Sequence, residues 1–155
     1  ETQVARAVEQ GGRILAGGRR VDGMDGLFFQ PTIIECPDPS MEIVDTELFG
    51  PVLAVLRFSD EDDVIAQANR SVHGLAAGLF TRDSARSMRV ARRLRAGIVW
   101  VNTYRVISPI AEFGGSKQSG YGRESGMQAV YDYTRPKTVW MNLSDDPVAN
   151  PFEPR

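Results

Sequence analysis

The sequence is poor in the residues that build metal sites and disulfides. It has one cysteine, Cys36, and one histidine, His73, in 155 residues. A single cysteine excludes an intrachain disulfide and, within one chain, a thiolate-rich metal centre. No metal site is expected, and the cysteine usage suits a reducing, cytoplasmic setting. An excess of charge is also lacking. The formal net charge is −2, which gives no broad basic surface for nucleic acid. No apolar run approaches the about 18 residues of a membrane-spanning helix, and no secretory leader is visible. Neither nucleic acid nor membrane is therefore an expected partner. A start residue is missing too: Glu1 already lies inside a helical pattern, ETQVARAVEQGG. The expectation is a piece of a longer chain.

What is present is an ordinary globular composition, 42% hydrophobic and 25% charged, at a length that supports one domain with its own core. Val4, Ala5 and Val8 recur at helical spacing before Gly11-Gly12. RILAGG and FFQPTIIEC read as short strands. PVLAVLRF is apolar enough for a strand buried on both faces. SDEDDVIAQANRS opens on Ser59 with Asp62 in a loose capping pattern, and its early carboxylates suit the helix dipole. GLAAGLFT, RDSARSMRVARRLRAG and IVWVN then give strand, helix and strand. Arg86, Arg89, Arg92, Arg93 and Arg95 form a solvated face of that second helix.

The alternation over 52–101 predicts an α/β fold, a mostly parallel three-layer αβα open sheet. Ligand sites of such sheets lie beyond the carboxyl ends of the strands, which directs attention to NTYRVISPIAEFGGSKQSGYGRE. A short helix is expected over 124–132 and a strand over 134–143. The tail SDDPVANPFEPR is expected to wrap loosely or fray.

Gly114, Gly115, Gly120 and Gly122 match neither a dinucleotide fingerprint nor a P-loop, so they read as tight turns and close backbone approaches. Cys36 follows Glu35 and precedes Pro37, a setting that disfavours a thiolate. His73 before Gly74 suits a turn. Glu47, in TELFGPV, is the sharper case. A carboxylate fixed by a tight Gly-Pro turn accepts two hydrogen bonds at once, as a ribose diol requires, and Phe49 beside it can pack on a flat ring.

ELFGPVLAV, ANRSVHGLAAGLFTRD, AGIVWVNTY, EFGGSKQSGYGRE and YTRPKTVW, in this order and spacing, resemble the carboxyl-terminal part of an NAD(P)-dependent aldehyde dehydrogenase, over roughly 1–143. The resemblance implies that 1–133 belong to the family's catalytic domain, 134–143 to its oligomerisation strand and 144–155 to a tail. It implies a full-length oxidoreductase that converts an aldehyde to the acid with NAD or NADP through a cysteine thiohemiacetal, water being activated by a glutamate. Glu47 takes the position that holds the nicotinamide ribose, and Phe49 lies beside the cofactor. Arg105, Ile107 and Phe113 line the aldehyde tunnel. The implied partners are a small-molecule aldehyde, an upstream Rossmann domain of the same chain, and further copies in a dimer or tetramer.

The departures are specific. The family's nucleophilic cysteine and activating glutamate lie upstream of this stretch, so no catalytic residue falls within it and the piece alone is expected to be inactive. His73 replaces a usual aromatic, and Glu112 replaces a commonly apolar residue beside the tunnel. A non-catalytic module with the same fold, and a small enzyme using Cys36, are the alternatives.

Overall fold

A computed structural model describes residues 1–143, 145–146 and 152. The first half is built on an apolar cluster. Helix α1 (Thr2–Glu9) turns Val4 and Ala7 onto strand β2 (Thr32–Cys36), where Ile34 is wholly buried. Met41 and the short helix α2 (Glu42–Asp45), with Ile43 buried, close the cluster. Glu42 ties the two helices: Gln3 Nε2 and Arg6 Nη1 donate to its carboxylate at 3.0 and 3.2 Å. Strand β1 (Arg13–Ala16) pairs antiparallel with β2, and β3 (Val52–Leu56) pairs parallel with it, in the order β1-β2-β3.

The strand expected to be buried on both faces is buried on one. Val52, Ala54 and Leu56 pack against the cluster, whereas Leu53 is 59% exposed and Val55 37%. The apolar run encodes two covered faces, and the described residues cover only one.

Helix α3 (Glu61–Arg70) follows. Its cap is Asp60, not Ser59: Asp60 Oδ1 accepts from Asp63 N at 2.9 Å, and the Asp63 carboxylate accepts from Ser59 N at 2.9 Å. The pair satisfies one amide that the helix start leaves open, that of Asp63, and ties down the amide of Ser59 just before the cap. The chain then makes a two-residue strand β4 (His73–Gly74), strand β5 (Ala76–Leu79), helix α4 (Ser84–Arg93, capped by Asp83) and strand β6 (Ile98–Val101). β5 and β6 pair in parallel through α4, a βαβ unit.

The fold is α/β as expected, but the described strands do not form one sheet. β4 instead pairs antiparallel with β7 (Ser116–Lys117), and no ladder joins β3 to β5. The excursion into β4 separates the two parallel pairs along the chain. The arginines of α4 are not a purely solvated face. Arg89 grips Glu61 of α3 with two bonds of 2.6 and 2.7 Å, and Arg93 reaches Asp62 at 2.6 Å.

Helix α5 (Gly126–Asp132) ends the regular structure. Residues 134–143 form no strand, and Trp140 is 92% exposed. A strand exists only where a neighbour completes its ladder, and no described residue does so here. The expected tail over 144–155 lies mostly outside the described residues. Among those described, no helix is long and apolar enough to cross a membrane.

Candidate active site

Two loops carry the expected site residues. The first joins α2 to β3. Thr46 N donates to Glu42 O at 2.8 Å, Val52 N to Gly50 O at 2.8 Å, and Thr32 N to Pro51 O at 2.8 Å, so the turn is fixed at both ends. Leu48 points inward onto the apolar cluster. Glu47 and Phe49 point outward. The Glu47 carboxylate is exposed and has no side-chain hydrogen-bond partner among the described residues. Phe49 is 93% exposed and adopts a left-handed backbone, φ 50°. A bulky exposed aromatic in that conformation costs about 1 kcal/mol and returns nothing to the core.

The second loop leaves β6. Asn102 starts it at φ 55° and clamps it. Its Oδ1 accepts from Thr81 N at 2.8 Å, its Nδ2 donates to Thr81 O at 2.9 Å, and its own N donates to Leu79 O at 2.9 Å. Asparagine tolerates this backbone better than most residues. Arg105 lies at φ 58° with its guanidinium 5.4 Å from the centre of the Tyr104 ring. Ile107 is 63% exposed. Phe113 is half-buried and closes the loop by a two-way backbone bridge to Glu124, at 2.7 and 2.6 Å. Glu112 is exposed, and its stem lies against Gly126, where a Cβ would come within 2.7 Å of Glu112 Cγ.

The glycines work as close approaches. A Cβ on Gly97, at the start of β6, would stand 1.8 Å from the Gly114 carbonyl oxygen. One on Gly115 would stand 2.6 Å from Ser119 Cβ. Backbone therefore lies directly on backbone beneath the second loop. Lys117 holds the same region, donating from Nζ to the carbonyls of Asn69 and Ser71 at 3.0 and 2.8 Å, at the carboxyl end of α3. Arg123 Nη1 donates to Gly115 O at 2.7 Å. Beyond the presence of Lys117 and Arg123, nothing in the sequence signals these two side-chain clamps.

The structure brings Arg105, Ile107 and Phe113 into one loop and Glu47 with Phe49 into another. No hydrogen bond among the described residues links the two loops. Cys36 is 2% exposed at the end of β2, and burial pushes its thiol above the ordinary range, the reverse of an activated nucleophile. His73 is exposed, with its backbone engaged to Lys117 and Ser71. Among the described residues, no cluster of three or more His, Cys, Asp or Glu side chains is placed to hold a metal ion.

Residues 1–139 match the model of the aldehyde dehydrogenase family. The chain is 49% identical over 150 residues to (Z)-2-((N-methylformamido)methylene)-5-hydroxybutyrolactone dehydrogenase of Acinetobacter baylyi, covering 96% of this chain and 30% of that enzyme. It is 43% identical over 152 residues to betaine aldehyde dehydrogenase 1 of Rhizobium meliloti, covering 96% of this chain and 31% of that protein. PnpE in complex with nicotinamide adenine dinucleotide superposes with a TM-score of 0.90 at 40% identity, over 97% of this chain and 31% of that one. The chain thus spans about a third of the length of the relatives it matches.

Proposed function

Because the chain belongs to the aldehyde dehydrogenase family, we propose that it is the carboxyl-terminal part of an enzyme that oxidises an aldehyde to the carboxylic acid with NAD or NADP. The observation that carries this reading is the turn over 47–51. It offers an exposed carboxylate with no side-chain hydrogen-bond partner among the described residues and an aromatic ring 93% exposed at a strained backbone. Both features suit a ribose diol and an adjoining flat ring. A Cβ built on Gly50 would meet only Leu48 O, at 3.8 Å, so the turn is open for a ligand to approach.

In this reading Glu47 accepts hydrogen bonds from the ribose hydroxyls and Phe49 packs beside the nicotinamide. The cofactor supplies the hydride acceptor. Arg105, Ile107 and Phe113 shape the entrance for the aldehyde. The thiolate and the glutamate that activates water belong to the upstream part of the longer chain, together with a Rossmann domain. The bare face of β3, with Leu53 and Val55 exposed, supports an upstream neighbour over a free-standing module. Residues 134–143, with Trp140 exposed, act as the assembly strand of a homodimer or homotetramer.

The test is steady-state kinetics of the full-length enzyme with a panel of aldehydes and both cofactors. Glu47→Gln keeps the shape and removes the charged acceptor, so the expected loss is about 1–3 kcal/mol, in hydride transfer or in cofactor affinity. Folding should be unchanged. Unaltered turnover and cofactor affinity would reduce Glu47 to an ordinary loop carboxylate. The 155-residue piece alone should form no NADH from any aldehyde. Activity abolished by Cys36→Ala would overturn that expectation.

A further inference from the structure

Trp100 lies on β6, outside the residues assigned to cofactor or aldehyde, yet it makes the bond that holds the middle of the second loop. Its indole N–H donates to the Val106 carbonyl at 2.9 Å. Its ring meets Tyr104 edge-on, with centroids 5.5 Å apart and planes at 75°. Tyr104 in turn carries the Arg105 guanidinium over its face at 5.4 Å. Among the described residues, no other main-chain group from Thr103 to Ile107 has a hydrogen-bond partner within the protein. The loop is therefore tied at Asn102, at Ser108–Ala111 and at Phe113, and between the first two of these only Trp100 reaches it.

We propose that Trp100 is a positioning residue for aldehyde recognition: its indole N–H and ring edge fix Tyr104, Arg105 and Val106, and so set the direction in which Arg105 and Ile107 face the substrate. This rests on the proposed reading of that loop as the aldehyde entrance. The physical basis is economy of contact. A five-residue stretch without backbone hydrogen bonds has no conformation of its own, and one side chain bonding its middle selects one. The edge-to-face ring pair orients Tyr104, and the cation above that ring orients Arg105. Arg105 sits at φ 58°, a backbone that needs an external restraint to persist.

The experiment compares full-length parent enzyme with Trp100→Phe, which keeps a ring but loses the donor. Tyr104→Leu serves as a second variant that breaks the ring stack without touching β6. Both should raise KM for the aldehyde about fivefold, the worth of one neutral hydrogen bond in Trp100→Phe and of one edge-to-face ring pair in Tyr104→Leu, with kcat and the cofactor KM retained. Discrimination between short and bulky aldehydes should narrow. Independently of activity, trypsin should cut after Arg105 faster in both variants than in the parent. A loss of thermal stability with unchanged aldehyde KM would make Trp100 structural only and overturn the proposal. Equal cleavage rates after Arg105, zero in all three included, would overturn it as well. A parent that oxidises no aldehyde would sink the proposed function and the substrate half of this inference, while the cleavage comparison still decides whether Trp100 orders the loop.

Discussion

Phe49 and Arg105 both adopt left-handed backbone, at φ 50° and 58°, but the loops around them are held by different means. The Glu47–Phe49 turn is short, bonded by backbone at both ends, and seated on the apolar cluster through Leu48. Its two outward side chains, Glu47 and Phe49, are exposed. The loop after β6 is long and rests on polar and backbone contacts: the Asn102–Thr81 clamp, the Trp100 indole, and the Gly97–Gly114 approach. Below it, α3 and α4 bury few side chains, Ile65, Ser87 and Val90 among them, and are joined by charge pairs. A turn that must present free hydrogen-bonding groups is best anchored by apolar burial, which uses none of them. A loop that must hold one shape over many residues needs directional bonds along its length.

The comparison breaks most sharply at Gly97. Gly97→Ala would drive a methyl into the Gly114 carbonyl, with backbone on both sides and no rotamer to yield. The expected destabilisation is about 3 kcal/mol, read from chemical denaturation of the full-length protein. A parent-like midpoint would mean that the two backbone segments are not packed as described. Next comes Asn102→Ala, which removes both bonds to Thr81 and leaves a Cβ-bearing residue at φ 55° without its local partner. A loss of about 2 kcal/mol is expected, and Asn102→Gly should recover part of it. Equal stability of Ala and Gly at this position would show that the backbone conformation contributes nothing.

Phe49→Gly sharpens the comparison from the other loop. The exposed ring adds no packing and its backbone is strained, so the variant should fold with unchanged or slightly higher stability, by up to about 1 kcal/mol, while cofactor affinity falls. Stability lost along with affinity would make Phe49 part of the fold.

Acidification gives the smallest effect. The Arg89 guanidinium holds the Glu61 carboxyl below its ordinary range, and the Arg86 amide does the same for Asp83 at the cap of α4. Gln67 and the Ser59 amide lower Asp63. Each group has its folded pKa depressed, so each contributes stability above its unfolded pKa, and that contribution is lost as pH falls through the folded pKa. Arg13 and Arg57 lower Glu35 in the first half as well, but that half also has the apolar cluster, which does not titrate. All these carboxylates, Glu61 and Glu35 at 24% and 18% side-chain exposure included, keep contact with solvent, so each is of modest worth. Hydrogen exchange at pH values below the ordinary carboxylate range, about 4, should therefore show α3 and α4 opening before β2. The reverse order would remove the distinction between the halves.

Several elements were legible because their causes are local. Val4 and Val8 before Gly11-Gly12 mark α1, and the apolar run 98–101 marks β6. The turn residues of 47–51 mark a displayed carboxylate, since a tight Gly-Pro turn fixes the residues beside it whatever the rest of the chain does. At the start of α3 the pattern favours Ser59 as the cap and the structure uses Asp60, because both side chains can cap and only backbone direction chooses between them. The second face of β3 and the strand over 134–143 could not be judged from pattern alone. An apolar stripe states that a face wants cover or an edge wants a partner, and says nothing about which atoms supply it.

The sequence by itself determined the α/β class, most of the elements, the Glu47–Phe49 turn and the glycines on which backbone approaches backbone. These depend on periodicity, turn chemistry and the absence of a side chain, all carried by neighbouring residues. Only the tertiary structure decided that the arginines of α4 clasp the carboxylates of α3, that Lys117 reaches the carboxyl end of α3, that Asn102 locks onto Thr81, and that Trp100 holds Val106. Most of those pairings join residues more than twenty positions apart. Trp100 and Val106 are six apart, but among the described residues the main chain from Thr103 to Arg105 has no bond that would fix the indole's target in advance. In each case a side chain finds its partner only after the chain has turned back on itself.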